Sequence, residues 1–238
     1  SFGVMAAFAA GSLVLHLRAG TETLHRPAPV APAALARGLV HTMRDGCFWA
    51  FTLAGCARFA GLFAFMSGSP RLFITGYGMA PEHYGYVYGF AVLGLLVGNL
   101  VCRRGLRRFG IVGVARRAAL LALACALVLA LADGWLGPSV ASLLLPFFFC
   151  MMAHGMLMPC IYAGVAAGLP ERAGLAIALL GALQMALAAG VGQAVDRAFD
   201  GTARPLTIAV VAAAVTVLTV VYARVTRQRA ALAPVDRR

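Results

Sequence analysis

An arginine in the middle of an oily stretch is the sharpest chemical feature of this sequence. Arg58 sits inside the apolar run 47–70, too deep to snorkel easily to a water interface. A guanidinium at the centre of a membrane helix costs about 2.5–3.5 kcal/mol on insertion scales, so such a group faces a cavity or a partner. Its helical neighbours Phe51, Ala54, Gly61, Leu62 and Phe65 are all apolar, so the partner must come from another segment. Two readings stay open: substrate or proton-path chemistry, or a structural pair to a backbone carbonyl or a carboxylate. His154 is the second candidate, flanked by Met151, Met152, Met156 and Met158. A buried imidazole can relay protons near neutral pH; equally, it can be one hydrogen-bonded group in an adaptable methionine wall. Soft-metal ligation would need a second His or paired Cys at ligand spacing. None occurs there, so no metal site is expected. Gln184 lies centrally in a later apolar run and could meet a polar substrate group or a neighbouring helix. Asn99 reads better as structural. Phe63, with Phe59, Phe65 and Phe147 to Phe149, could line a drug-sized apolar cavity, or pack against lipid and other helices.

Other chemistries are excluded by residue type. Every basic residue is Arg and there is no Lys, which removes lysine Schiff-base chemistry. There is no HExxH zinc motif, no GxxxxGK[ST] phosphate loop and no GxSxG elbow. Cys47, Cys56, Cys102, Cys125, Cys150 and Cys160 lie in or beside apolar runs without a CxxC pair. They read as small packing residues. No cofactor and no enzymatic activity are expected.

The elements that must position these residues follow from composition. Of 238 residues, 62% are hydrophobic and 12% charged, against about a quarter charged in soluble domains. Mean hydropathy is +0.87. Water cannot solvate such a chain as a compact globule. The net charge of +12 could suggest nucleic acid, but the arginines fall between long apolar runs, as at the rim of a membrane protein. Nucleic acid is therefore not an expected partner, whereas membrane lipid is. About 20 apolar residues cross the hydrocarbon core as a helix. Seven segments qualify: 1–17, 47–70, 84–102, 112–132, 138–160, 173–195 and 205–223. An all-α membrane protein with seven transmembrane helices is predicted.

Charge sets the expected orientation. Arginines crowd the linker after the first span, the 103–117 turn, Arg172 and the tail from Arg224. Only Arg71, Arg197 and Arg204 fall on the other side. The positive-inside rule puts the larger set, and the C-terminus, in the cytoplasm. The linker 18–46 begins with Pro27, Pro29 and Pro32, which oppose helix. Its second part, 33–46, is amphipathic, with Leu35, Leu39, Val40 and Met43 opposite Arg37, His41, Arg44 and Asp45. A short helix in the headgroup layer is predicted. One helix (1–17), a linker (18–46), a six-helix block (47–223) and a tail (224–238) suggest six-helix halves joined by a cytoplasmic linker. The start at Ser1, inside an apolar run and without Met, reads as a C-terminal piece of something longer.

Small residues recur every four positions at Gly174, Ala178, Ala182, Ala186 and Gly190, and at Gly85 with Gly89 and Gly94 with Gly98. Such ridges let helix backbones approach closely and permit the sliding that alternating access needs. Tyr84, Tyr86 and Tyr88 read as interfacial anchors. Pro146 and Pro159 mark a hinge or a kink.

Ordered motifs add a resemblance. Glu22-Thr23-Leu24, the run Phe59 to Phe65 with Ser67-Gly68-Ser69-Pro70, Tyr77-Gly78, Tyr88-Gly89-Phe90, Ala173-Gly174 and Leu180-Gly181-Ala182-Leu183-Gln184 follow in order. The chain resembles the C-terminal half of a major facilitator superfamily transporter, and more narrowly the Bcr/CflA drug-resistance family. Gly98, Leu100, Arg103, Gly105 and Arg107 fall on the superfamily's inter-helix motif G-x-L-x-D-R-x-G-R-[KR], with Cys102 in place of its acid. The resemblance implies the C-terminal six-helix bundle of that fold plus the last helix of the N-terminal half. It implies proton-driven efflux of a drug or small metabolite across the bacterial inner membrane. Protons, that small molecule and the preceding N-terminal helices of the same protein would be its partners. It also implies that Gly98, Arg103, Gly105 and Arg107 form a gating loop, a role the missing acid weakens. The competing expectations are a nonfunctional or regulatory membrane fragment, or an intramembrane enzyme.

Overall fold

The computed structural model describes residues 2–19, 32–135 and 140–229. The Glu22–Leu24 motif, Arg26 and the tail beyond Arg229 lie outside them. Among the described residues the chain is helical almost throughout, with no strand. Residues 1–36 form one unit, which carries α1 (Phe2–Ala19) and the start of α2 (Pro32–Arg44). Residues 37–238 form the other, a helix bundle.

The bundle contains α3 (Gly46–Arg71), α4 (Pro81–Trp135), α5 (Val140–Gly168), α6 (Ala173–Arg197) and α7 (Arg204–Ala223). Five described stretches are long and apolar enough to cross a membrane: Gly46–Gly76, Pro81–Ala132, Leu143–Gly168, Pro170–Arg197 and Arg204–Arg227. The second holds two of the expected spans, 84–102 and 112–132. Phe2–Arg18 is a shorter apolar helix. Residues expected as loops are often helical. The arginine-rich stretch 103–109 continues α4. The Ser67–Pro70 exit lies inside α3, which passes Pro70 and widens into a π turn at Leu72–Gly76. Likewise α5 runs unbroken through Pro146 and Pro159.

Local chemistry starts and stops these helices. Asp45 caps α3, its carboxylate accepting the Phe48 N–H at 2.7 Å, as an N-cap aspartate should. Between α6 and α7, Asp200 accepts the Thr202 hydroxyl at 2.6 Å and the Thr202 N–H at 3.0 Å. These bonds hold its carboxyl below the ordinary aspartate range. In α2 the buried positions are Gly38 and Thr42, whereas Leu35, Leu39, Val40 and Met43 are exposed. The predicted apolar face therefore points out of the protein.

Gly110 makes the elbow of α4. Its φ of 65° and ψ of 178° lie in a region that essentially only glycine occupies. The chain turns back there, so Gly105 on the first arm (81–109) meets Val114 on the second (111–135). Gly110→Ala should therefore cost about 1–3 kcal/mol, although no atom lies within 4 Å of the Cβ position. Gly174→Ala, equally open but helical, should be neutral or slightly stabilising. Melting curves of the two purified variants check this; equal melting temperatures would show that the elbow does not need glycine.

Two apolar clusters, one above the other, form the core. One joins Phe48, Phe51 and Ala54 of α3 to Val112 and Ala115 of α4, Ile161 of α5, Leu180 of α6 and Val221 of α7. The other joins Phe65, Leu129, Phe147, Val195 and Val210 at the opposite end. Here α5 packs mainly on α4, while α3 sits against α5, α6 and α7.

The glycine ridges do not behave alike. A Cβ at Gly94 would run into the Phe148 carbonyl, one at Gly98 into the Met152 carbonyl, and one at Gly155 into the Leu95 carbonyl. The first arm of α4 thus lies backbone to backbone on α5. In contrast, a Cβ added at Gly85, Gly89, Gly174 or Gly190 would have nothing within 4 Å, and Ala178, Ala182 and Ala186 are exposed. The α6 ridge, expected to hold helices close, faces outward from this bundle.

Candidate functional site

The polar residues inside the bundle lie where the two apolar clusters meet. On α3, Arg58 falls between Ala57 of one cluster and Ala64 of the other. On α5, His154 falls between Met151 and Met156, and on α6, Gln184 falls between Leu180 and Val195. All three are nearly inaccessible, at 2%, 6% and 1% of full exposure. The result is a polar layer at mid-height of an apolar bundle.

Each member has an incomplete set of partners. Arg58 Nη2 donates to the Cys150 carbonyl of α5 at 2.6 Å, while its Nε is buried without a hydrogen-bond partner. Among the described residues the ion pair is Arg71 with Asp196, far from Arg58, so no carboxylate neutralises the buried guanidinium. His154 lies within electrostatic reach of Arg58, and its ring is 6.1 Å from that of Phe59. Its Nδ1 has no partner. Gln184 Oε1 accepts the Tyr162 hydroxyl at 3.0 Å, and its Nε2 is buried and unpaired. Unsatisfied buried polar atoms are uncommon in native proteins and need a reason.

Not every predicted residue joins this layer. Phe63 is half-buried against Phe59, with ring centroids 5.1 Å apart. Met151 is buried on the side of α5 that faces Gly94 of α4. Phe65 and Phe147 stack in the core, and Phe149 is among the exposed residues. Asn99 donates to the Leu95 carbonyl of its own helix at 3.2 Å. Of the tyrosines, Tyr84 bonds Ser69 at 2.8 Å, while Tyr86 is exposed.

The residues expected to form a gating loop are on a helix. Gly98 packs on α5, Gly105 packs on Val114, and Arg103 and Arg107 line an outward recess of about 230 Å³ with Leu100 and Arg104. Cys102, which takes the place of the motif's acid, points inward at 1% exposure, with its Sγ 3.8 Å from that of Cys160. An acid there would be buried in the apolar core.

Two features escaped the sequence. Tyr162 is the partner of Gln184, and a tyrosine deep in an apolar run was the available signal. Cys102 and Cys160 meet across two helices, and nothing in their spacing marks them. Among the described residues no group of three or more His, Cys, Asp or Glu could hold a metal.

The Gln184 geometry gives a prediction. Tyr162→Phe leaves Gln184 Oε1 without its donor and should cost about 0.6 kcal/mol, a typical membrane hydrogen bond. A Cβ at Gly55 would lie 2.9 Å from Gln184 Nε2, so Gly55→Ala should move the same side chain. The double variant should cost less than the sum of the singles, since both act through Gln184. Thermal melts of the four proteins measure this, and strict additivity would separate the two sites.

Comparison with known proteins fits this architecture. A family model described as Major Facilitator Superfamily matches residues 1–193. An uncharacterized MFS-type transporter, YdgK of Bacillus subtilis (strain 168), is 25% identical over 174 residues, covering 70% of this chain. The chain spans 41% of the length of that relative. No solved structure matches. With several apolar spans and a family match over most of its length, this is a multi-pass membrane chain that belongs to the Major Facilitator Superfamily.

Proposed function

We propose that the chain is the C-terminal lobe of a secondary transporter, working by alternating access on a drug or small metabolite. The observation that carries this reading is the mid-height polar layer of Arg58, His154 and Gln184, with unpaired buried nitrogens, between two apolar clusters. Transporters bind substrate and coupling ions near the bilayer midplane, and intramembrane ionisable groups mark such paths. The ordered motifs support proton-coupled export of the Bcr/CflA type. They also support placement in a bacterial inner membrane with the arginine-rich end and C-terminus in the cytoplasm. The partners are protons, the exported molecule and the N-terminal helices of the same carrier. In this reading Phe63 and Met151 belong to the walls around the path. Gly98, Arg103, Gly105 and Arg107 brace one of the alternating states.

The test is efflux-dependent resistance in a pump-deleted bacterial strain carrying the whole reading frame, with and without an uncoupler. Resistance that collapses with the proton gradient is expected. Resistance that survives uncoupling would remove proton coupling, and resistance unchanged by the gene would remove drug export.

A further inference from the structure

We propose that the elbow of α4 and the end of α7 form a specific site for an anionic phospholipid. The elbow brings three guanidinium groups to one outward recess of about 280 Å³, lined by Arg108, Arg116 and Arg117 with Phe109, Gly113 and Thr226. Among the described residues none of the three arginines is ion-paired. Three like charges close together repel one another, and an anion between them relieves that repulsion.

The three groups are held in place rather than left to wander. Arg117 lies 3.6 Å and Arg108 5.3 Å from the centre of the Phe109 ring, so one ring carries two guanidinium groups. Arg117 Nη1 also donates to the Gly113 carbonyl at 3.1 Å. Arg116 stacks 4.6 Å from the centre of the Tyr222 ring of α7. Guanidinium on an aromatic face is a favourable cation–π contact. A stacked, pre-placed fork loses less freedom when it grips phosphate oxygens in pairs.

The apolar surroundings identify the phosphate as a lipid's. A second recess, of about 350 Å³, shares Gly113, Arg116 and Arg117 and adds Leu120 and Tyr222. From Leu120 the outer surface of α4 continues through Leu127, Val128 and Leu131, all exposed. Beside it, α7 exposes Tyr222 and Val215. Cationic groups therefore cap one end of an apolar track that runs toward the middle of the bundle. A glycerophospholipid has that order, with its phosphodiester at the interface and its acyl chains below. Phe109 and Tyr222 are exposed at 40% and 38%, and exposed aromatic rings beside cationic groups favour the headgroup level of a membrane. Basic pockets between helices at this level suit anionic headgroups.

The test is native mass spectrometry of the full chain in detergent, titrated with phosphatidylglycerol or phosphatidylcholine. Phosphatidylglycerol should bind at least about tenfold more tightly than phosphatidylcholine. The triple variant Arg108→Gln, Arg116→Gln, Arg117→Gln should lose that preference. Arg103→Gln with Arg104→Gln, which removes charge from the neighbouring recess, should keep it. Inorganic phosphate at millimolar concentration should not displace the lipid. Preference retained by the triple variant, equal loss in the Arg103/Arg104 control, or displacement by inorganic phosphate would each overturn the proposal. Should the triple variant fail to fold, Phe109→Leu removes the platform but no charge. It should weaken phosphatidylglycerol binding severalfold, and unchanged affinity there would also overturn the site.

Discussion

Arg58→Met is expected to abolish transport while making the protein more stable. The arginine is 2% exposed and makes one side-chain hydrogen bond, to the Cys150 carbonyl. Its Nε has no partner, and among the described residues no carboxylate repays the removal of its charge from water. Replacing buried charged groups by apolar residues of similar volume is often neutral or stabilising by about 1–4 kcal/mol. Methionine is long and adaptable enough to fill the space. The variant should therefore melt higher in detergent, while resistance in the pump-deleted strain falls to the level of the empty strain. Arg58→Lys keeps the charge without the planar fork and should retain part of the activity. The two readouts separate the roles. A variant that melts lower and still confers resistance would make Arg58 a clamp between α3 and α5, with no part in the transport path.

Gly98→Val should cause the largest loss of folded protein. At Gly98 an added Cβ collides with backbone, the Met152 carbonyl of α5. A flexible side chain could rotate aside, but a helical carbonyl cannot without moving its helix. Overpacking typically costs about 1–3 kcal/mol, and a rigid backbone obstacle puts this site at the upper end or beyond. Gly94→Ala and Gly155→Ala meet the Phe148 and Leu95 carbonyls in the same way and should also destabilise. Gly85→Ala and Gly89→Ala, with nothing within 4 Å, are the internal controls. They should be harmless, or gain up to about 1 kcal/mol from helix propensity. Yields and melting temperatures from detergent chromatography check the series. Loss at Gly85 equal to that at Gly98 would show that glycine is required there for a reason other than the α4–α5 contact.

The same glycines show where one-dimensional reading runs out. Spacing marked Gly94 with Gly98, Gly85 with Gly89, and the Gly174–Gly190 series alike. Only the first pair touches another helix. An apolar side chain is at home against lipid or against protein, so a helix that is apolar all round does not encode which side faces which. The elbow was hidden for a related reason. A cluster of arginines reads as a loop, but only the backbone angles of Gly110 show two long helical arms joined by a single residue.

What the sequence determined by itself was the all-α class, the place of the apolar stretches in the bundle, the membrane setting, the superfamily and the short list of buried polar groups. These depend on sums along the chain, such as length times hydropathy, and on residues that are conspicuous wherever they occur. Tertiary structure alone decided the pairings. Arg58 meets a carbonyl 92 residues away, Cys102 meets Cys160 across 58 residues, and Gln184 meets Tyr162. Each contact depends on the rotation and height of two helices at once. Those are set by close packing of many small surfaces, a quantity that no local stretch of residues contains.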